Sequence, residues 1–191
     1  MQYRPTRTAG LSTMHSEASN IPHHTAIRAY VGLGSNLCDP PQQLRRAFQA
    51  LSELPMTQLV AQSDLYRSAP LGGFDQPDYL NAVAALDTTL TAHDLLAALL
   101  DIEQRQGRVR GEQRWQARTL DLDLLLYGDQ RMRDATLIVP HPGLRERAFV
   151  LYPLHEIAPE LEIPGLGALS ALIKFCKSND LQRVSGTQSH D

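Results

Sequence analysis

Hydrophobic and polar residues alternate where the ordered part of the chain is expected to begin. Apolar side chains occupy every second position from Ile27 to Leu33, which predicts a strand with one face toward a core. The run Gly32-Leu33-Gly34-Ser35-Asn36 then predicts a turn. Beyond it, Asp39 and Pro40 are typical of a helix start, and an apolar stripe at helical spacing follows at Leu44, Ala47, Phe48 and Leu51.

Two more strands and a second helix are predicted downstream. Residues 57–67 and 78–87 are rich in strand-forming residues, and the loop between them contains glycine and proline. Thr91 and Asp94 have the spacing of a capping box and predict a helix start, and Gly107 predicts its end. The apolar face of this helix carries Leu95, Leu96, Leu99 and Ile102.

The next predicted strand, which extends to Tyr127, carries two acidic residues within an apolar run. Because side chains alternate in a strand, Asp121 and Asp123 project together from one face, opposite the face of Leu120, Leu122 and Leu124. Two residues of rise separate the carboxylates by about 6.6 Å. That spacing suits two hard divalent cations, which lie roughly 3.5–4 Å apart in two-metal sites and prefer oxygen ligands. The strand alone leaves an alternative open, namely an ordinary strand whose acidic face is exposed to water and binds no metal.

The order β-α-β-β-α-β predicts an α+β fold of the ferredoxin-like type, a split βαβ sandwich. In this fold an antiparallel sheet carries both helices on one face, and the other face can hold a ligand. A short strand at 137–139, a helix at 147–155 and a terminal helix from residue 168 are expected after this unit.

The two ends of the chain have a different character from its middle. Residues 1–25 are rich in Ser, Thr, Arg and His and lack hydrophobic periodicity, so we expect a disordered extension. A transit peptide is an alternative, because Arg4 and Arg7 precede several hydroxyl residues, although Glu17 counts against it. One domain is expected over residues 26–180, followed by a flexible tail over residues 181–191.

Composition restricts the class of protein. A chain of 191 residues with 42% hydrophobic residues corresponds to one globular domain, and a net charge of -3 argues against bulk attraction to nucleic acid or anionic membrane. No apolar run approaches the roughly 20 residues of a membrane span. Cys38 and Cys176 lack ligand-like spacing, which fits a reducing compartment. We therefore expect a cytoplasmic monomer that binds neither nucleic acid nor membrane.

A basic cluster lies between the second helix and the acidic strand. It contains Arg108, Arg110, Arg114, Trp115 and Arg118. Guanidiniums beside an aromatic residue suit either single-stranded nucleic acid or a nucleotide phosphate. The neighbouring carboxylates would repel a phosphate backbone unless divalent metal neutralised them, which favours a compact Mg-nucleotide over a polymer.

Several motifs occur in a fixed order along the chain. They are Gly32-Leu33-Gly34-Ser35-Asn36, Leu65-Tyr66-Arg67-Ser68-Ala69-Pro70, Gln76-Pro77-Asp78-Tyr79-Leu80-Asn81, Glu103, Gly107-Arg108, Arg118 to Asp123, Val139-Pro140-His141-Pro142 and Arg147-Ala148-Phe149. As an ordered set over about residues 28–167, they resemble the 6-hydroxymethyl-7,8-dihydropterin pyrophosphokinase family of folate biosynthesis. Each motif taken alone is weak evidence.

The resemblance implies an ATP-dependent diphosphotransferase. It implies transfer of the terminal diphosphate of ATP to the hydroxymethyl oxygen of the pterin, with AMP released. Asp121 and Asp123 would bind two Mg²⁺ ions, and Arg108 and Arg118 would be catalytic by neutralising the transferring phosphates. Nucleotide contacts are implied for Glu103, Arg110, Trp115, Leu124, His141 and Arg147. A structural role for Glu103 stays open.

The resemblance also implies a pterin site. Tyr79 and Phe149 would sandwich the flat ring, and Asn81 would hydrogen-bond its polar edge, as stacking and paired donors and acceptors require. Further substrate contacts are implied for Gly34, Asn36, Ser68, Ala69 and Leu71. A core position is the alternative for either aromatic residue.

Two hypotheses from other classes stay open. One is a ferredoxin-like module that binds a nucleotide or nucleic acid without chemistry, which would keep its ligand when Asp121 is neutralised. The other is a catalytically silent relative that serves as a partner protein.

The chain departs from the family pattern at four positions that bear on nucleotide affinity, namely Leu100, Gln116, Ile138 and Pro142.

Overall fold

The fold is described from a computed structural model of the chain. The structure describes residues 25–70, 72, 75–108, 117–176, 178 and 180–184. The predicted extension over residues 1–25 lies outside the described residues except for its last residue. Residues 185–191 of the predicted tail also lie outside them.

Strands and helices alternate through most of the described chain. The strands are β1 (Ile27–Ser35), β2 (Thr57–Gln62), β3 (Leu65–Ser68), β4 (Tyr79–Thr88), β5 (Asp121–Tyr127), β6 (Met132–Arg133), β7 (Ile138–Val139), β8 (Glu162–Ile163), β9 (Gly167–Ala168) and β10 (Gln182–Val184). The α-helices are α1 (Pro40–Ser52), α2 (Ala92–Arg105), α3 (Ala148–Ile157) and α4 (Leu169–Phe175), and a 3₁₀ turn covers Leu144–Glu146.

Six strands form one antiparallel sheet. Its order is β10-β3-β4-β1-β5, and β2 also pairs with β4. The first strand therefore lies between two strands that follow it much later in the chain, as in a split βαβ unit. The predicted ferredoxin-like α+β fold is confirmed.

Both predicted helix starts are confirmed by their caps. The Asp39 carboxylate accepts a hydrogen bond from Gln42 N at 3.2 Å, ahead of α1. The Thr91 hydroxyl accepts one from Asp94 N at 3.1 Å, ahead of α2. Each cap satisfies a backbone donor that has no partner within its helix.

The segment at 57–67, predicted as one strand, forms two. Ser63 lies between them, where its hydroxyl accepts a hydrogen bond from Val83 N at 2.9 Å and donates one to the Asp64 carbonyl at 2.8 Å. A side chain thus takes a bond that the backbone ladder would otherwise supply. The chain bends there, so β2 and β3 both pair with β4 as separate strands.

The sheet has a core on each face. The first core packs α1 and α2 against the sheet and includes Leu44, Leu51, Leu95, Leu99, Leu120, Leu122 and Leu124. The second lies on the opposite face, where α3 packs against β3, β4 and α4 and the core includes Tyr30, Val83, Leu126, Val150, Leu151 and Leu154. The open part of this second face is where the cavity described below lies.

A β-bulge divides β5 into two halves. Val31 pairs with Leu124 and Tyr30 with Leu126, so Leu125 is an extra residue with no partner of its own in β1. The alternation of faces shifts at this point, and Leu125 and Leu126 both join the second core. The acidic half of the strand keeps the alternation that the sequence predicts.

The first part of the predicted tail over residues 181–191 contains a strand. Gln182–Val184 pairs with β3, and Arg183 Nε donates a hydrogen bond to Asp64 Oδ2 at 2.7 Å. Val184 packs against the first core. Three residues are too few to show a strand period, which is why the sequence pattern did not reveal the strand.

Within the described residues, no helix has the length and apolar character needed to cross a membrane.

Candidate active site

A cavity of about 340 Å³ opens on the sheet face opposite α1 and α2. Parts of β1, β3, β4 and β5 and the first turn of α3 surround it. It brings together most of the predicted site residues, namely Gly34, Ser68, Ala69, Tyr79, Asn81, Arg118, Asp121, Asp123, His141, Arg147 and Phe149. These residues come from segments far apart in the sequence.

Each aspartate of β5 lies opposite a glycine of β1. Asp121 pairs with Gly34 and Asp123 pairs with Gly32, whereas Leu122 between them pairs with Leu33. Directly paired residues place their side chains on the same face of a sheet, and glycine has none to place there. The Gly-Leu-Gly sequence therefore leaves space for the two carboxylates, and both line the cavity.

Two arginines bind the carboxylate of Asp121. Arg118 Nη1 lies 2.5 Å from Oδ2, and Arg108 Nη1 lies 2.6 Å from Oδ1. Asp123 has more distant cationic neighbours, because Arg147 Nη1 and His141 Nε2 lie 3.7 and 3.9 Å from its Oδ2. The second carboxylate is therefore the more weakly neutralised of the two.

The cavity disfavours an isolated charge. Burial, followed by the negative charge of Asp121, raises the pKa of Asp123. Burial likewise lowers the pKa of His141, although Asp123 acts in the opposite direction. A cation placed between the two carboxylates would stabilise their ionised forms, so this pair of oxygen donors fits a divalent metal ion.

The protein provides only part of a metal coordination shell. Among the residues that the structure describes, no group of three or more His, Cys, Asp or Glu side chains is arranged to hold a metal ion. Two carboxylates alone leave most positions around a magnesium ion to waters or to substrate oxygens, as is usual where Mg²⁺ is bound together with a phosphate substrate.

His141 and Arg147 are fixed on the far side of the cavity by short local contacts. His141 N donates to the Leu125 carbonyl at 2.9 Å, and Gly143 N donates to His141 Nδ1 at 3.1 Å. In the neutral ring the proton therefore lies on Nε2, which faces Asp123. A Cβ at Gly143 would collide with the Arg147 guanidinium, so glycine is needed for this arginine to lie where it does.

The two predicted ring-stacking residues line the same cavity from different elements. Tyr79 is the first residue of β4, and Phe149 lies in the first turn of α3. Both are partly buried, and the Arg147 guanidinium lies 5.9 Å from the Phe149 ring centre. Neither belongs to the fully buried core, and both line the cavity.

Asn81 is a buried amide whose orientation is fixed. Its Nδ2 donates to the Tyr66 carbonyl at 3.2 Å and to Ser68 Oγ at 3.0 Å. The amide hydrogens are therefore used within the protein. The Oδ1 atom is directed toward Gly34 and the cavity, where it can accept a hydrogen bond.

Comparison with known proteins agrees with this geometry. The family model described as 7,8-dihydro-6-hydroxymethylpterin-pyrophosphokinase matches residues 30–159, which include all the cavity residues named above. The chain belongs to this family. The predicted family and enzyme class are confirmed: the protein is a pyrophosphokinase whose family acts on hydroxymethyldihydropterin.

Curated relatives match over almost their whole length. The 2-amino-4-hydroxy-6-hydroxymethyldihydropteridine pyrophosphokinase of Pseudomonas aeruginosa is 51% identical over 159 residues, which is 83% of this chain and 98% of the relative. The enzyme of the same name from Haemophilus influenzae is 49% identical and covers 78% of this chain and 92% of the relative.

Solved structures share the fold at low sequence identity. A Plasmodium falciparum HPPK-DHPS triple mutant with pteroate has a TM-score of 0.65 and 12% identity. The match covers 85% of this chain and 47% of that chain, so this chain spans about half the length of that solved chain. This likeness supports the fold alone.

Among the described residues, four of the predicted site residues do not line the cavity, namely Asn36, Glu103, Arg108 and Leu124. Asn36 is buried beside it, where Oδ1 accepts from Arg118 N at 2.7 Å and Nδ2 donates to the Pro77 carbonyl at 3.1 Å. Leu124 faces the first core, because it lies one position out of phase with the aspartates. The nucleotide contact predicted for Leu124 stays a prediction. Glu103 lies beneath β5, where it accepts a hydrogen bond from Leu122 N.

Arg108 contacts Asp121 but lines a second pocket, together with Glu103 and Gln104. Leu71, Arg110 and Trp115 lie outside the described residues, so their predicted roles stay predictions.

Seven residues that line the cavity were not predicted as contacts, namely Gly32, Leu33, Pro70, Gln76, Ala82, Leu125 and Val150. Gln76 lines the cavity next to Pro77 and was visible only as part of a motif. Leu125 forms part of its floor, and the alternation rule could have found it, since it follows Asp121 and Asp123 at every second position.

Proposed function

We propose that the protein transfers the diphosphate group of ATP to the hydroxymethyl oxygen of 6-hydroxymethyl-7,8-dihydropterin, with AMP as the second product. The reaction is a step of folate biosynthesis. Membership in the family supports the activity. The observation that carries the proposal is one cavity in which an acidic pair and two aromatic rings lie together, the first suited to a metal-bound phosphate and the second to a flat heterocycle.

Asp121 and Asp123 would hold two Mg²⁺ ions together with phosphate oxygens of ATP. When bound, the ions would neutralise phosphate charge and favour ionisation of the acceptor hydroxyl. The glycines opposite the aspartates leave space for these ligands. The raised pKa of Asp123 supports the assignment, because a carboxylate that is costly to ionise alone gains from a bound cation.

The arginines would contribute by charge and position. Arg108 and Arg118 lie against Asp121, and an approaching phosphate offers oxygens that the same guanidiniums can bind. Arg147 and His141, near Asp123, would bind phosphates on the nucleotide side. Phosphoryl-type transfer depends mainly on alignment and charge neutralisation, so the mechanism requires no covalent protein nucleophile.

The pterin would lie between Tyr79 and Phe149. A cavity of about 340 Å³ is of a size to hold one such bicyclic ring. Asn81 Oδ1 would accept a hydrogen bond from a ring N–H, and the fixed Nδ2 contacts keep that oxygen in place. The site would thereby distinguish a donor edge from an acceptor edge.

We also propose that the protein acts in the cytoplasm as a monomer. Both cysteines, Cys38 and Cys176, are free thiols, which suits a reducing compartment.

An assay of products tests the proposed function. Protein, Mg²⁺, ATP and the hydroxymethyl pterin are incubated, and nucleotide products are separated by chromatography. We expect AMP and the pterin diphosphate in equal amounts. Production of ADP would reject the proposal in favour of an enzyme that transfers a single phosphate group. Absence of turnover although both ligands bind would reject it in favour of a binding module.

A further inference from the structure

Glu103 is a buried carboxylate behind the active site. Its side chain is 2% exposed and lies near the end of α2. Oε1 accepts a hydrogen bond from Leu122 N at 2.7 Å and also binds Arg108 Nη1. Because Leu122 lies between the two aspartates, one carboxylate connects the acidic strand with an arginine that itself contacts Asp121.

The backbone brings Arg108 to the same glutamate a second time. Arg108 N donates to the Glu103 carbonyl at 3.0 Å, and Gly107 N donates to the Gln104 carbonyl at 3.1 Å. These two bonds, with Gly107 at a φ of 81°, form a Schellman motif that ends the helix. The chain reverses there, so the Arg108 backbone and guanidinium are both held by Glu103.

The position of this glutamate is costly. Burial raises the pKa of Glu103, and the end of a helix disfavours negative charge. An apolar residue would avoid that cost but would leave Leu122 N and the Arg108 guanidinium without this acceptor. The buried carboxylate and the Arg108 guanidinium therefore depend on each other.

We infer that Glu103 is a positioning residue for Arg108 in diphosphate transfer. A cation bound to Asp121 would replace the Arg108 guanidinium on that carboxylate. Glu103 lies on the helix side of β5, and its contact with Arg108 would remain. The guanidinium then stays directed at the phosphates as charge moves onto them. This inference rests on the proposed role of Arg108 in the reaction.

A double-mutant cycle tests the inference. Glu103→Gln keeps an oxygen that can accept from Leu122 N but removes the charge that holds Arg108. We expect it to lower kcat about tenfold, the size expected for a lost charge-assisted contact, with little change in KM. In an Arg108→Ala background the same substitution should change kcat by less than about twofold, since the two residues act as a unit.

Each outcome of the cycle is informative. If the effects of Glu103→Gln and Arg108→Ala multiply, or if Glu103→Gln lowers the thermal midpoint but not kcat, Glu103 is merely structural and the inference fails while the proposed function stands. If Arg108→Ala leaves kcat unchanged, the role of Arg108 fails and the inference with it.

Two further variants make the result specific. Asp101→Asn removes a charge from the same helix at an exposed position that pairs with Arg105, and we expect wild-type kcat. If Glu103→Gln does not fold, Glu103→Asp replaces it in the cycle, because it keeps the charge but is too short to bind Leu122 N and Arg108 together. Additive effects of Glu103→Asp would also overturn the inference.

Discussion

Arg118 Nη1 lies 2.5 Å from Asp121 Oδ2, and Arg108 Nη1 lies 2.6 Å from the other oxygen of the same carboxylate. Both oxygens of a proposed metal ligand are thus bound by guanidiniums. A metal ion without a nucleotide would compete with these internal cations. A metal–nucleotide complex brings phosphate oxygens that can receive them, so we expect the metal and the nucleotide to bind best together.

Arg118→Ala should strengthen the binding of a divalent ion alone. Loss of one competing guanidinium should improve Mn²⁺ affinity about fivefold, equivalent to roughly 1 kcal/mol for a partly exposed ion pair. The same variant should lower turnover, because charge on the transferring phosphates is no longer neutralised. Mn²⁺ binding followed by electron paramagnetic resonance, without nucleotide, checks the first effect.

A matched control is Arg105→Ala, which removes one positive charge from an exposed pair on α2. Its Mn²⁺ affinity should equal that of the wild type. If both variants bound Mn²⁺ alike, competition between Arg118 and the metal would be excluded.

Asp121→Asn and Asp123→Asn should each reduce turnover more than tenfold, equivalent to more than about 1.4 kcal/mol of barrier. The amide has nearly the same shape but lacks the charge that holds a cation. Steady-state kinetics at saturating Mg²⁺ and ATP provide the measurement, with circular dichroism as the control for folding. Retention of more than about a tenth of wild-type activity by both would contradict the metal assignment.

Asp123→Asn should also make the ligand-free protein more stable at neutral pH. The pKa of Asp123 is raised in the folded state, so the folded protein binds this proton more tightly than the unfolded chain does. Ionisation of Asp123 therefore destabilises the folded protein. The loss of stability develops as pH rises from 3.8, the ordinary pKa, to the raised pKa of the folded state, and it is complete above that pKa. The variant has no such group to ionise.

Thermal melts of the two proteins between pH 4 and 8 test this pH dependence. The difference in melting temperature should grow with pH in favour of Asp123→Asn and then level off. A constant difference across the range would show that ionisation of Asp123 is not its cause.

Gly34→Ala should weaken pterin binding without unfolding the protein. An added Cβ would lie 3.5 Å from Asn81 Oδ1 and 3.9 Å from both Asp121 Cβ and Tyr79 Cδ1, which are ordinary contact distances. The methyl group would therefore fit in the folded protein but occupy part of the cavity. We expect a higher KM for the pterin and an unchanged thermal midpoint.

Gly32→Ala is the companion variant, because its Cβ would lie 3.3 Å from Leu125 Cδ2, a tighter contact with the core. It should lower the thermal midpoint. A Gly34→Ala protein with wild-type KM would show that the pterin lies elsewhere.

Local sequence rules were enough to predict the acidic strand, both capped helices and the main strands and helices before β5, apart from the division of residues 57–67 into two strands. Alternation placed Asp121 and Asp123 on one face without any knowledge of the partner strand. It could not predict that Gly34 and Gly32 lie opposite them, because that register depends on pairing between residues about ninety positions apart.

Other features depended on contacts invisible to local patterns. The break at Ser63 depends on a hydroxyl that reaches Val83 N, and the last strand depends on pairing with β3. The role of Glu103 was left open because a glutamate near a helix end gives no sign of what it contacts. Only the reversal at Gly107 places Arg108 against it.

The direction of β1 has a practical consequence for how this enzyme can be joined to other proteins. The strand enters the sheet at Ile27, lines the cavity from Gly32 to Gly34 and ends at Ser35. At about 3.3 Å per residue, its two ends are roughly 26 Å apart. A purification tag or a second enzyme fused ahead of Ile27 would therefore emerge at the end of the sheet remote from the substrates. Such a fusion should leave the mouth of the cavity open to small molecules.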